Sequence, residues 1–138
     1  MSREQKKSRI LVVDDEPDIL NSLRMGIERR GYAVDAFVDP LAALAQFAPS
    51  KYSLCIIDIR MPVMNGFEMY REIKKIDQCV RVCFCTAHDR EYREEFRKAF
   101  PELDQDSFIP KPATLTMLVC RIEEELGSLN AALAKNLS

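Results

Sequence analysis

The sequence predicts an α/β fold: a doubly wound, five-stranded parallel sheet with helices on both faces. Three observations carry this expectation. Short apolar runs alternate with helix-period segments five times along the 138 residues. The runs, such as Arg9-Ile-Leu-Val-Val-Asp14 and the stretch Ser53 to Ile59, are nearly continuously apolar, as strands buried on both faces are. Finally, carboxylates stand after the first run (Asp14, Asp15) and at the end of the third (Asp58). That is where an open α/β sheet places its ligand crevice, beyond the carboxyl ends of the strands near the switch in strand order.

Each element has its own signal. Met1 to Ser8 is polar and lysine-bearing and reads as a solvated tail. After the first strand, Asp14-Asp15-Glu16 and Pro17 suit a helix N-terminus, where acids meet the dipole and proline loses no hydrogen bond. Leu20, Leu23 and Ile27 continue at helical spacing until Gly31 stops the helix. Tyr32 to Val38 reads as a strand, and Asp39-Pro40 opens a helix carrying Leu41, Leu44 and Phe47. After the third strand, Asn65-Gly66 precedes a helix with Phe67, Tyr70 and Ile73. Cys79 to Thr86 reads as the fourth strand, followed by a charged helix with Tyr92, Phe96 and Phe100 as its apolar stripe. Ser107 to Pro110 is a short fifth strand, and Leu115, Leu118, Ile122 and Leu126 line a last amphipathic helix.

Composition narrows the function classes. Hydrophobic residues at 47% and charged residues at 30% suit an ordinary globular domain, long enough for a core without staples. A net charge of -2 offers no general attraction to nucleic acid or to an anionic membrane, so neither partner is expected. The apolar runs are too short to span a bilayer. Five cysteines (Cys55, Cys79, Cys83, Cys85, Cys120) are an odd number with no signal peptide before them. Cys83-x-Cys85 could face one way on a strand as a redox or metal pair. With one histidine in the chain, buried reduced thiols of a cytoplasmic protein are the simpler expectation.

Four segments together resemble the CheY-like receiver family of two-component signalling. Val12-Val-Asp-Asp-Glu-Pro17 resembles its acidic pair and Ile57-Asp-Ile-Arg-Met-Pro-Val-Met-Asn-Gly66 its phosphoacceptor loop. Cys85-Thr-Ala87 and Ile109-Pro-Lys-Pro112 resemble its hydroxyl and lysine segments. Each is weak alone; four in order, each at a strand end, are specific. The resemblance covers roughly residues 9–127, leaving 1–8 as a tail and 128–138 as a C-terminal extension. It implies a flavodoxin-like (βα)5 sheet of order 2-1-3-4-5, with Asp58 taking a phosphoryl group from a sensor histidine kinase or a phosphotransfer protein. It also implies Mg²⁺ held by Asp14, Asp15, Asp58 and the backbone carbonyl of Arg60, with Asp14 acting largely through water. Physics agrees with a cation: unit charges about 4 Å apart repel by roughly 4 kcal/mol at an effective dielectric near 20, and a hard ion with oxygen ligands relieves that. Thr86 would donate its hydroxyl to a phosphoryl oxygen, and Lys111 would neutralise charge on the transferred group. Phe108 occupies the family's aromatic switch position beside Thr86, although a plain core phenylalanine fits as well. Arg60 and His88 fall two residues past Asp58 and Thr86, where they would modulate the lifetime of the acyl phosphate. His88 taken alone reads as an exposed loop residue.

The chain departs from the family pattern before the fifth strand, where Phe100-Pro-Glu-Leu-Asp-Gln-Asp106 replaces the usual small residues. Partner contacts on that face do not carry over. A phosphatase or phosphotransferase with an aspartate nucleophile is a competing reading, but its second acid two residues on is here Arg60. A pseudo-receiver that binds without phosphorylation is another, opposed by every site position being occupied. The expectation is therefore a switch that catalyses its own phosphorylation and dephosphorylation, acts on an unnamed downstream protein, and is no turnover enzyme. After Leu126 twelve residues remain, too few for an output module. Leu129, Leu133 and Leu137 continue the helical spacing, either as a frayed tail or as an extended helix for a partner or a homodimer.

Overall fold

The computed structural model describes residues 8–86, 94, 98–101, 108–110, 120–124 and 126. Its elements are β1 (Arg9–Val13), α1 (Pro17–Arg29), β2 (Ala33–Phe37), α2 (Pro40–Gln46), β3 (Leu54–Asp58), α3 (Gly66–Ile76), β4 (Arg81–Thr86) and β5 (Phe108–Pro110), and residues 120–124 are helical. The strands form one parallel sheet of order β2-β1-β3-β4-β5, as expected.

Alternation along the strands divides the interior into two cores, because successive side chains leave a strand on opposite faces. Leu11, Val13, Cys55, Ile57, Val82 and Phe84 point to one face, against Ala43 of α2 and Met69, Tyr70 and Ile73 of α3. Ile10, Val12, Leu54, Ile56, Cys83 and Cys85 point to the other, against Leu20 and Ile27 of α1 and against Ile122 and Leu126. This explains the continuous apolar runs: β1 and β3 need apolar groups on both sides. β2 lies at the sheet edge and is only half-buried along its whole length.

Local chemistry sets the helix boundaries. Pro17 opens α1, and its last turn ends before Gly31, whose φ of +95° suits glycine. The Asp39 side chain caps α2 by accepting from the Leu41 N–H. A full capping box starts α3: Asn65 accepts from the Glu68 N–H at 2.9 Å, and Glu68 accepts from the Asn65 N–H at 3.0 Å.

Three expectations need correction. Helical spacing puts Leu41 on the apolar stripe of α2, but it is exposed; this short helix turns Pro40 and Ala43 inward instead, and Phe47 packs just beyond its end. The apolar run puts Cys79 on the fourth strand among buried thiols, yet it sits exposed in the turn before β4, its N–H held by Asp77. Cys120, the other thiol outside the sheet, is exposed as well. Cys55, Cys83 and Cys85 are buried, and all five cysteines are thiols. Burial pushes the Cys55 thiol far above its ordinary value, the larger effect, with smaller charge effects from its neighbours. Phe100, Ile122 and Leu126 are buried as expected; Tyr92, Phe96, Leu115, Leu118, Leu129, Leu133 and Leu137 lie outside the described residues.

Candidate functional site

The chain leaves β1 toward β2 on one side of the sheet and returns to β3 on the other, so strand order reverses between β1 and β3. A crevice opens where their carboxyl ends diverge. Val13 pairs with Ile57 at the end of the β1–β3 ladder, which sets Asp14 and Asp58 as the next residues on adjacent strands. Both are buried, Asp14 to 2% exposure and Asp58 to 5%, an uncommon position for carboxylates.

Around Asp14 the backbone turns sharply. Its N–H donates to the Phe37 carbonyl at 3.1 Å, extending the β1–β2 ladder by one residue. Its Oδ1 accepts from the Glu16 N–H at 2.9 Å, so the side chain stabilises the turn into α1. Asp15 is half-buried and Glu16 exposed, and carboxylate oxygens of Asp14, Asp15 and Glu16 lie within 4.8 Å of one another. Hard oxygen donors packed this closely have the chemistry of a Mg²⁺ or Ca²⁺ ligand set. Glu16 joins this group unannounced: its sequence position identified it only as a helix-opening acid. Asp58 is not among those three, although it follows the adjoining strand position.

The loop after β3 forms the other wall. Asp58 pairs with Cys85 of β4, and the Ile59 N–H donates to the Cys85 carbonyl at 3.2 Å. A cleft of about 410 Å³ is lined by Asp15, Ile59, Arg60, Met61, Pro62 and Asn65. Arg60 is exposed and lines this cleft. Val63 sits at φ +73° with the Met64 N–H donating to the Pro62 carbonyl at 2.8 Å, a tight and strained turn for a β-branched residue.

Thr86 ends β4 opposite Pro110, and Phe108 opens β5 opposite Phe84. β4 and β5 thus carry the Thr86 main chain to the same end of the sheet as Asp14 and Asp58. Lys111, His88 and Ala87 lie outside the described residues.

Comparison with known proteins agrees with this arrangement. The response regulator receiver domain profile matches residues 10–123. The regulatory protein VanRB of Enterococcus faecalis is 33% identical over 127 residues, which span 92% of this chain and 56% of that protein. The transcriptional regulatory protein RprY of Bacteroides fragilis is 30% identical over 118 residues, spanning 86% of this chain and 49% of that protein. The chain therefore spans about half the length of the curated relatives it matches. Among solved structures, the non-phosphorylated HemR receiver domain from Leptospira biflexa is 28% identical with a TM-score of 0.75, covering 86% of this chain and 94% of that one. A CheY-like receiver domain from Methanospirillum hungatei reaches a TM-score of 0.75 at 24% identity over 92% of this chain and 99% of that one, a likeness of fold. Because the profile runs from β1 through the helical residues 120–123, the chain belongs to the response regulator receiver domain family of two-component signalling.

Proposed function

We propose that Asp58 is the phosphoacceptor of a two-component phosphorelay, loaded by a sensor histidine kinase or a phosphotransfer protein. The observation that carries this reading is the burial of Asp58 at the carboxyl end of the central strand, beside buried Asp14 at the matching position of the neighbouring strand. A carboxylate there gains nothing from packing and costs desolvation, which favours a chemical role for it. In the reaction, a carboxylate oxygen of Asp58 attacks phosphorus, the bond from phosphorus to the donor breaks, and an acyl phosphate forms on Asp58. Asp14, Asp15, Asp58 and the Arg60 carbonyl would hold Mg²⁺, and Glu16 adds a further carboxylate beside the first two. When bound, the ion neutralises charge on the phosphoryl oxygens. Thr86 and Lys111 are assigned the remaining contacts, a hydroxyl donor and an ammonium, with Thr86 and Phe108 coupling the phosphoryl group to the partner-binding face. Arg60 and His88 are assigned to shielding the acyl phosphate from water.

Family membership supports a switch and not a turnover enzyme on free substrates. Partners follow from it: a kinase or phosphotransfer protein on one side, and a downstream protein on the other. The matched residues make up about half of the relatives named as transcriptional regulators, so the absence of nucleic-acid contact is proposed for these 138 residues alone. No described helix is long and apolar enough to cross a membrane, in keeping with the proposed cytoplasmic location. Residues 9–127 are proposed as the receiver unit and 128–138 as an extension that serves a partner or a second copy.

Incubation with acetyl phosphate and Mg²⁺, followed by intact-mass measurement, tests the central claim. The wild type should gain one phosphoryl group, and Asp58→Asn or added EDTA should abolish the gain. Undiminished labelling of Asp58→Asn in EDTA would falsify both the acceptor and the metal assignments.

A further inference from the structure

We propose that Gly66 is a positioning residue for the phosphoacceptor: having no side chain, it lets the start of α3 rest directly on the Asp58 peptide. This rests on the assignment of Asp58 above and extends it to the residue that fixes where Asp58 stands. A Cβ built on Gly66 would meet the Asp58 carbonyl oxygen at 2.8 Å, the Ile59 Cα at 2.9 Å and the Asp58 carbonyl carbon at 3.4 Å. All three are main-chain atoms, which cannot rotate away as a flexible side chain could. Gly66 is not at positive φ, where Gly31 stands, so conformational freedom does not account for it. Proximity does.

The contact closes a loop. The Gly66 N–H donates to the Ile59 carbonyl at 2.8 Å, joining the two ends of the segment that carries Arg60 and lines the cleft. The Asn65–Glu68 capping box fixes the helix start that presents this N–H. The positive φ of Val63 lies within the same loop, so the chain accepts strain to close it this tightly. A methyl group at position 66 would force the Asp58 carbonyl back by roughly 0.6 Å to reach ordinary contact. The Asp58 carboxylate and the Arg60 carbonyl would move with that peptide. Displacements approaching 1 Å at a reacting group cost up to about 100-fold in rate.

The test compares Gly66→Ala with Ile73→Val, a buried change about two turns farther along the same helix. Fold is checked by far-ultraviolet circular dichroism and thermal unfolding. Mg²⁺ affinity is read by isothermal titration calorimetry, and the phosphorylation rate by intact mass with acetyl phosphate. Gly66→Ala should lose about tenfold or more in both readouts, while Ile73→Val stays within about twofold of wild type even where its unfolding temperature falls as far. Wild-type values for Gly66→Ala, or an equal loss in Ile73→Val, overturn the proposal. Should Gly66→Ala not fold, Glu68→Ala decides: it loosens the helix start without adding bulk, and an unchanged Mg²⁺ affinity and rate overturn the proposal while a severalfold loss in both supports it. Failure of the wild type to take a phosphoryl group defeats the Asp58 assignment, and this inference with it; a normal wild type beside a normal Gly66→Ala defeats the inference alone.

Discussion

Replacing Asp14 with Asn removes one unit of charge while keeping the Oδ1 acceptor that holds the Glu16 N–H at 2.9 Å. At the 4.8 Å limit of the cluster, two carboxylates repel by about 3.5 kcal/mol at an effective dielectric near 20 and by about 0.9 kcal/mol in bulk water. Exposed Glu16 belongs near the lower figure and half-buried Asp15 between the two, so the lost repulsion is roughly 3 kcal/mol. Against it stand the weaker, now neutral hydrogen bond and the lost attraction to the α1 N-terminus, together about 1–2 kcal/mol. The variant should therefore be more stable than wild type by about 1–2 kcal/mol in EDTA, raising Tm by roughly 3–6 °C. With Mg²⁺ at about 100 times the wild-type Kd, the wild type should gain about 2.7 kcal/mol, and a variant binding tenfold more weakly about 1.4 kcal/mol. Thermal unfolding at low ionic strength, with EDTA and with Mg²⁺, measures both numbers. A variant less stable than wild type in EDTA, or one with the full Mg²⁺ gain, refutes the reasoning.

Other outcomes are equally specific. Under native conditions iodoacetamide should modify exposed Cys79 and Cys120 and spare Cys55, Cys83 and Cys85; peptide mapping that finds Cys55 among the fast sites contradicts the burial. Tyr52→Phe removes the 2.7 Å bond from the hydroxyl to Asp35 and should cost about 1–2 kcal/mol at neutral pH. Burial first, then that bond and the Asp35 charge, hold the Tyr52 phenol above its ordinary value of 10.0. A raised value means that wild-type stability is intact below pH 10.0 and is lost as pH climbs above it. The gap to Tyr52→Phe should narrow in that alkaline range; a constant gap in urea titrations counts against the sign. Finally, Arg60→Ala and His88→Ala should change the acyl phosphate lifetime severalfold while leaving Tm nearly unchanged, and equal lifetimes by mass spectrometry remove both from the site mouth.

The sheet was legible because its physics is local. Ile10 through Val13 must satisfy two cores at once, and continuous apolar residues are the direct trace of that demand. The acids after β1 and at the end of β3 were legible for the same reason, since a carboxylate at the end of an apolar run has no packing role. Boundaries were less so. Apolar spacing alone puts Leu41 inward, but a helix of seven residues has too few turns for its stripe to be averaged, and Asp39 and Pro40 set its rotation instead. Cys79 looked like strand because cysteine and valine are both apolar; the side chain of Asp77 claims its N–H for a turn. Asn65-Gly66 was legible as the approach to a helix, though not as part of the Asn65–Glu68 capping box that the structure shows. Which backbone Gly66 would rest on was not, because no local pattern encodes a contact between a helix start and the strand before it.

Stability and reactivity are divided along the strands. At the amino ends the polar contacts are mutually satisfying: Arg9 and Tyr52 both reach Asp35 at 2.7 Å, and Asp77 holds the Ser50 and Cys79 N–H groups. Lys74 donates to the Val80 carbonyl at 2.7 Å and to the Gln78 carbonyl at 3.1 Å. Nothing in these contacts needs a ligand. At the carboxyl ends the costs accumulate: two buried carboxylates on neighbouring strands, a third and fourth acid beside them, a β-branched residue at positive φ, and a glycine pressed onto the Asp58 peptide. A chain of this length has only about 5–15 kcal/mol of net stability to set against such costs. The satisfied contacts at the amino ends anchor the strands whose far ends carry these costs. A cation or a phosphoryl group bound there, as proposed, would act on the end of the described sheet where these costs are concentrated.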